Sequence, residues 1–235
     1  MKKIILSTII LTSFLYAQGV YATFNVKALQ SANLAFTASG IIKTIDADIG
    51  DIVKKDKILA TLKNDDIKAM LDKTKIVLKF AKRDLQREQK IKKLIDAKRY
   101  DKVLSSYENA KASMIYQQAL YDKTILKAPF DGIIYDKSIE IGDAVSGMML
   151  KTVFKIQSLH KRKLVLEFDQ KYHNIVKVGQ HFRYKIDGDD KEYIGVISKI
   201  YPYANFNNRK IKAEVQATNF TVGLFGDGTI MIDKE

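Results

Sequence analysis

Cysteine is absent from the 235-residue chain. That excludes a disulfide framework, a thiolate metal site, a thiol nucleophile and the lipid-bearing cysteine of a lipoprotein. Glycine and proline are missing between Gly50 and Pro129, although both occur on either side. These residues punctuate turns and sheet-rich segments, so the gap marks an uninterrupted segment of another kind. Long apolar runs are missing too. The best candidate, IILSTIILTSFL at 4–15, is too short to span a bilayer. It follows a basic MKK and precedes small residues, the pattern of a secretory leader, with cleavage expected after Ala17 or Ala22. The mature chain is therefore expected to be exported, and soluble or peripheral.

Charge is abundant and unbalanced, with 40 basic against 27 acidic side chains and a formal net charge of +13. The lysines are spread along the chain rather than gathered in one segment, and an exported protein rarely meets genomic nucleic acid. Nucleic-acid binding is set aside. A basic surface of this kind meets solvent, anionic lipid head groups or an acidic partner.

Within the glycine-free gap, apolar residues recur at helical spacing. The first series is Ile67, Met70/Leu71, Val77/Leu78, Ala81, Leu85, Ile91 and Ile95; the second is Tyr100, Val103/Leu104, Tyr107, Ala110, Met114 and Tyr121. Both follow an a/d heptad stripe with charged residues on the other faces. Two amphipathic helices are predicted, roughly 65–95 and 97–123, folding back at LIDAKRYDKV, where the Asp96 carboxylate is placed to cap the second helix. Each arm would be on the order of 40 Å long at 1.5 Å per residue. After Gly147 the pattern changes to short alternating strands at 163–169, 181–187, 192–202, 210–218 and 228–233, separated by turn signals, which predicts a small antiparallel barrel.

One phrase is written twice. GIIKTIDADIGDIV from Gly40 is matched by GIIYDKSIEIGDAV from Gly132, so that Gly50 and Asp51 correspond to Gly142 and Asp143. Each copy reads strand, turn, strand, with Gly40 and Gly132 taken as positions needing glycine's backbone freedom. Neither copy can close a core alone. Paired, they make one small β-domain with quasi-two-fold symmetry, into which an antiparallel hairpin has been inserted.

These half-motifs resemble those of biotinyl/lipoyl carrier domains, and their order resembles a periplasmic adaptor, or membrane fusion protein, of the HlyD-like class. The second half carries the A-P-f-d-G signature as Ala128, Pro129, Phe130, Asp131 and Gly132; the first half departs from the family pattern in having Asp56 where a glycine is usual. The barrel resembles the family through Gly179 before a strand, Gly195 in YIGVISKIYP, and Arg209 and Asn219 in NRKIKAEVQATN. The resemblance implies an elongated α+β fold: a leader at 1–22, an N-terminal strand and first lipoyl half at 23–64, a helical hairpin at 65–123, a second lipoyl half at 124–157 and a β-barrel domain at 158–235. It implies residence in the periplasm, peripheral to the inner membrane of a double-membraned bacterium. The implied partners are an inner-membrane transporter of the resistance-nodulation-division type, a trimeric outer-membrane duct, and further copies of the chain in a trimeric or hexameric ring. It places duct contacts at the hairpin tip: Arg87, Ile91, Leu94, Ile95, Asp96 and Lys98. The family's serine at the tip has no counterpart here. An ABC exporter as the transporter, or a soluble exported β-rich binding protein, stay open as alternatives.

Enzymatic chemistry finds no support. The helical segment occupies the turn on which a carrier domain would display its modifiable lysine. His160, His173 and His181 lack the close pairing of a helical zinc motif. Met148 and Met149 are adjacent, so in a strand they would face opposite ways and are expected to pack rather than share a metal ion. No nucleophile constellation or phosphate-cradling loop is present. The chain is expected to have no cofactor and to act structurally.

Overall fold

The computed structural model describes residues 19–91 and 96–232. The chain opens with β1 (Gly19–Ala28), followed by β2 (Ser31–Leu34), β3 (Gly40–Ile45), β4 (Ile52–Val53) and β5 (Ile58–Leu62). Two helices follow, α1 (Asp65–Lys90) and α2 (Ala97–Asp122). Then come β6 (Ile125–Lys127), β7 (Gly132–Lys137), β8 (Ala144–Val145) and β9 (Phe154–Gln157). The chain ends in β10 (Lys161–Asp169), β11 (His181–Ile186), β12 (Tyr193–Ala204), β13 (Lys210–Thr218) and β14 (Phe225–Met231). Two compact units result, Gln30–Leu159 and a second made of residues 19–29 with 160–232.

In the first unit two four-stranded sheets, β2-β9-β7-β4 and β6-β5-β3-β8, share one core. Each sheet is built around the long strand of one repeat and borrows the short strand of the other: β4 pairs with β7, and β8 with β3. The exchange is reciprocal down to single bonds. Gly50 N–H donates to the Ile134 carbonyl and Ile134 N–H to that of Asp51; Gly142 N–H donates to the Ile42 carbonyl and Ile42 N–H to that of Asp143. Ile42 and Ile134, equivalent in the two copies, are both buried at the centre. The I-G-D turns are built alike. Gly50 and Gly142 take φ of 92° and 95°, a region closed to most residues. Asp51 Oδ2 accepts from Asp48 N–H, and Asp143 Oδ2 from Glu140 N–H, each at 2.9 Å.

Gly40 and Gly132 differ from the sequence expectation. Neither has a positive φ. Their requirement is space: a Cβ on Gly132 would run into the Gln157 carbonyl, and one on Gly40 would press on Leu62. The Ala-Pro-Phe-Asp-Gly segment clips the halves together. Asp56 N–H donates to the Ala128 carbonyl at 2.8 Å, and Asp131 Oδ1 accepts from Lys55 N–H at 2.8 Å. Asp56, standing where the family pattern has glycine, adopts φ 66°, a cost aspartate tolerates better than most residues. Met148 and Met149 are not packed. They lie in the loop between β8 and β9 and are 94% and 79% exposed, so the strand assumed for them does not exist.

The second unit is a closed barrel, β1-β10-β13-β12-β11-β14. Closure leaves no free sheet edge. The strands alternate as period-two writing requires; along β11, His181, Arg183 and Lys185 face out while Phe182, Tyr184 and Ile186 are buried. Phe24, Phe182 and Tyr184 meet at 5.3–5.8 Å between ring centres. Gly226 and Gly228 make room for them, because a Cβ at either would come within 2.6 Å of the Phe24 ring or 2.8 Å of the Phe182 ring. Burying each such aromatic contributes about 1.5–3 kcal/mol. Residues 19–22 were expected in the leader and 23–29 with the first lipoyl half. All but the last of them form β1, which pairs with β10 and β14 and supplies Val20, Ala22, Phe24 and Val26 to the barrel core.

Glu214 is the barrel's most committed charge. It is buried on β13, where Oε1 accepts from Lys163 Nζ at 2.7 Å and from the Tyr201 hydroxyl at 2.6 Å. Burial pushes its carboxyl pKa up, but the hydrogen bonds from Lys163 and Tyr201 outweigh burial and hold it below the ordinary value. The same contact pushes Tyr201 up to about 12. Because the folded Glu214 pKa is depressed, its stabilisation is complete above the unfolded value and is lost as pH falls through the folded one. Glu214→Gln is expected to cost about 1–3 kcal/mol at neutral pH and to flatten the acid limb of a stability-against-pH curve. An unchanged acid limb in urea titrations would show that other carboxylates carry it.

Candidate docking site at the helical hairpin

The hairpin leaves and re-enters the β-unit at one point. Asn64 and Thr124, flanking the two helices, are both buried, and Asn64 Nδ2 donates to Thr124 Oγ1 at 2.8 Å. Thr124 Oγ1 donates in turn to the Tyr121 carbonyl at 2.6 Å, and Leu62 N–H to the Thr124 carbonyl at 2.9 Å. Lys43 pairs with Asp65 in the first turn of α1, where the helix dipole also favours the carboxylate. The sequence reading passed over Asn64 and Thr124, which have no special spacing; an Asn at one helix boundary and a Thr at the other was the only available signal.

Between the helices the seam follows a heptad. Less exposed positions at that spacing are Ile67, Leu71, Thr74, Leu78, Ala81, Leu85 and Glu88 on α1 and Tyr100, Val103, Tyr107, Ala110, Met114, Gln117 and Tyr121 on α2, with Asp84, Leu104, Gln118 and Leu120 part-buried beside them. Met70 and Val77, read as seam residues, face solvent instead, as does Phe80. The heptad excludes them because the seam falls on their neighbours Leu71 and Leu78. The seam ends at a charge: Glu88 Oε1 accepts from Arg99 Nη2 at 2.6 Å, across from one helix to the other. The Glu88 side chain is 14% exposed and that of Arg99 61%, while Glu88 Oε2 is buried with no hydrogen-bond partner.

Of the expected tip residues, the structure places Arg87, Ile91, Asp96 and Lys98; Leu94 and Ile95 lie outside the described residues. Helix α1 runs to Lys90 with Ile91 as its C-cap, and the expected continuation to 95 falls outside the described residues. Arg87 is exposed and pairs with Asp84 on its own helix. With Arg83, Gln86, Gln89 and Lys90 it lines an open recess of about 510 Å³. Lys98 is exposed on the first turn of α2. Asp96 stands at the N-cap but not as its capping side chain: no side-chain cap bond forms, and its backbone carbonyl accepts from Arg99 and Tyr100 at 3.1 and 3.2 Å. The described residues beside the end of the hairpin are thus rich in exposed cations, Arg83, Arg87, Lys90 and Lys98 among them.

The other singled-out residues lie at turns and close contacts. Pro129 follows the buried Ala128 in a trans segment. Gly179 turns into β11 with φ 95°, Gly195 packs flat on Val215, and Arg209 takes φ 53° in the loop before β13. The three histidines are apart: His160 Nδ1 meets Asn219 Oδ1 at 3.1 Å, His173 Nδ1 meets the Gln170 carbonyl at 3.1 Å, and His181 faces out of the barrel. Among the described residues no cluster of His, Asp or Glu could hold a metal ion.

Residues 30–157 match the family model described as CzcB-like, barrel-sandwich hybrid domain. The chain belongs to the CzcB-like barrel-sandwich hybrid family. It is 24% identical over 207 residues to the cobalt-zinc-cadmium resistance protein CzcB of Cupriavidus metallidurans, covering 81% of this chain and 39% of that protein. It therefore spans about two fifths of the length of that curated relative. The fold is shared with a MacA–MexA chimera containing the Pseudomonas aeruginosa MexA α-hairpin domain, at TM-score 0.82 and 20% identity, over 92% of this chain and 83% of that one. It is shared also with the membrane fusion protein Spr0693 of Streptococcus pneumoniae, at TM-score 0.71 and 16% identity, over 92% of this chain and 100% of that one. ZneB of Cupriavidus metallidurans aligns at TM-score 0.61 and 19% identity, over 92% of this chain and 71% of that one. The architecture is that of membrane fusion, or periplasmic adaptor, proteins of efflux systems, which are structural and not enzymatic.

The Glu88–Arg99 tie gives a direct test of the seam. Arg99→Ala should lower the stability of the hairpin by about 0.5–1 kcal/mol, discounted for the exposed guanidinium. Glu88→Leu, which continues the apolar heptad, should raise it. Thermal melts followed by helical circular dichroism distinguish these directions, and equal losses from both variants would place the glutamate's value in the pair itself.

Proposed function

We propose that this protein is the adaptor of a tripartite exporter, joining an inner-membrane transporter to an outer-membrane duct. The observation that carries the reading is the heptad hairpin, tied shut at its root by Asn64 and Thr124 and carrying exposed Arg87, Lys90 and Lys98 toward its far end. A binding module has no use for such an arm, whereas an adaptor needs rigid reach. Arg87, Ile91, Asp96 and Lys98, with Leu94 and Ile95, are the proposed duct contacts. Met70, Val77 and Phe80 form an exposed apolar stripe on α1, with Arg83 lying over the Phe80 ring at 4.7 Å, which supports side-by-side association of hairpins from several copies in a ring.

The favoured transporter is of the resistance-nodulation-division type. The matched relative's name, cobalt-zinc-cadmium resistance protein, makes divalent metal ions the first cargo to test. Export to the periplasm with leader removal after Ala17 is the processing that fits the barrel, because cleavage after Ala22 would strip buried Val20 and Ala22 from β1.

Photoreactive residues at Lys98 and Lys185, both exposed, test the reading in cells. Lys98 is expected to capture an outer-membrane duct and Lys185 an inner-membrane transporter, whose identity distinguishes the resistance-nodulation-division type from an ABC exporter. If neither probe captures an envelope protein while the complex is expressed, the adaptor reading fails and a soluble exported binding protein replaces it.

A further inference from the structure

The barrel carries a feature that its own packing does not use. Phe206, at the apex of the loop between β12 and β13, is 97% exposed. The loop holds it there firmly. Asn205 Oδ1 accepts from Asn207 N–H at 2.9 Å, Arg209 N–H donates to the Asn205 carbonyl at 2.8 Å, and Asn208 Oδ1 accepts from Lys210 N–H at 3.1 Å. A bulky aromatic fixed outward in water contributes nothing to the fold and invites contact with something less polar. The apolar surface continues behind it. Tyr203 is exposed and packs edge-on against Tyr201 at 6.1 Å, above a cleft of about 580 Å³ whose walls include Pro202 and Ile211.

The rim of this surface is cationic. Lys171 lines the cleft, and Arg209 and Lys210 close the loop. Gln170 N–H donates to the Arg209 carbonyl at 3.0 Å, which fastens the turn bearing Lys171 to the loop bearing Phe206. One carboxylate stands among them, Asp169, and its Oδ1 is occupied by Lys171 N–H at 2.9 Å. No salt bridge neutralises Lys171, Arg209 or Lys210 among the described residues. An exposed aromatic apex with tyrosines behind it and basic side chains around it is the composition that seats at the head-group level of a bilayer: rings enter the acyl boundary and cations meet phosphate.

We propose that the β12–β13 loop is a membrane-surface tip, which inserts Phe206 into the head-group region of an anionic bilayer with Lys171, Arg209 and Lys210 on lipid phosphates. The inference is independent of the exporter reading, since the test contains neither transporter nor duct. The chain has no tryptophan, so a single introduced one is a clean reporter. Phe206→Trp in the purified full chain is titrated with phosphatidylglycerol-rich vesicles and with pure phosphatidylcholine vesicles. Ile194→Trp, at an exposed position near the start of β12 and so at the far end of that strand from the loop, is the control.

The Phe206 reporter should blue-shift with anionic vesicles alone, reversibly in high salt, while the Ile194 reporter stays unmoved. Arg209→Glu and Lys210→Glu should each weaken vesicle partitioning roughly fivefold or more. Phe206→Ala should weaken it while leaving the thermal midpoint unchanged, because the side chain is exposed. An unmoved Phe206 reporter overturns the proposal. So does an equal shift at Ile194, which reduces the binding to adsorption of a basic chain, or an equal shift on neutral vesicles, which removes the phosphate contact. Capture of the loop by a protein in cells without any vesicle response makes it a protein-docking loop instead.

Discussion

The structure depends on a reciprocal exchange of backbone hydrogen bonds between two copies of one short phrase. Each I-G-D turn gives its glycine N–H and aspartate carbonyl to the central strand of the other copy, through Ile134 in one case and Ile42 in the other. Each turn closes on itself through its aspartate, but its glycine N–H and aspartate carbonyl find their partners in the other copy, so the two copies complete one another. Once both are present, the two sheets share one core with Ile42 and Ile134 at its centre. What lies between the copies is then free to be any length, provided its ends return to one place. An antiparallel hairpin meets that condition, and the buried Asn64–Thr124 bond holds it there.

From this constraint the arm acquires its mechanical character. A heptad seam alone would bury too little to anchor a pair of helices, but the root is fixed by the β-unit and the far end by Glu88 and Arg99. The arm is therefore tied at its root and again between Glu88 and Arg99, with Arg87, Lys90 and Lys98 exposed nearby. The barrel follows the same logic. Its closed sheet and aromatic core leave Glu214 as a deeply held charge and leave Phe206 outside on a braced loop.

Much of the architecture was legible because periodicities differ by element. The glycine-free gap and its spacing gave two helices, and the repeated phrase gave a split β-domain. What was not legible had physical causes. Residues 19–22 read as leader and 23–29 as part of the first lipoyl half because β1 is separated by over a hundred residues from β10, its partner in the barrel. Met70 and Leu71, or Val77 and Leu78, are equivalent by hydrophobicity, and only the partner helix decides which one faces the seam. Asp96 looked like a capping side chain, yet its backbone carbonyl takes the role. Gly40 and Gly132 were read for torsional freedom where close packing demanded them. Toward the tip Arg87 and Lys98 are exposed, but nothing in the spacing pointed to Glu88 and Arg99, which join the helices.

The most direct measurement is amide hydrogen exchange in a chain whose helices, residues 65–122, are replaced by a short turn between Asn64 and Thr124. If one β-domain has been opened to emit an arm, the amides of Ile42, Gly50, Ile134 and Gly142 remain protected and unfold together in the shortened chain. Loss of protection at those four amides, with the barrel still folded, would contradict the account and make the hairpin part of what holds the two copies together.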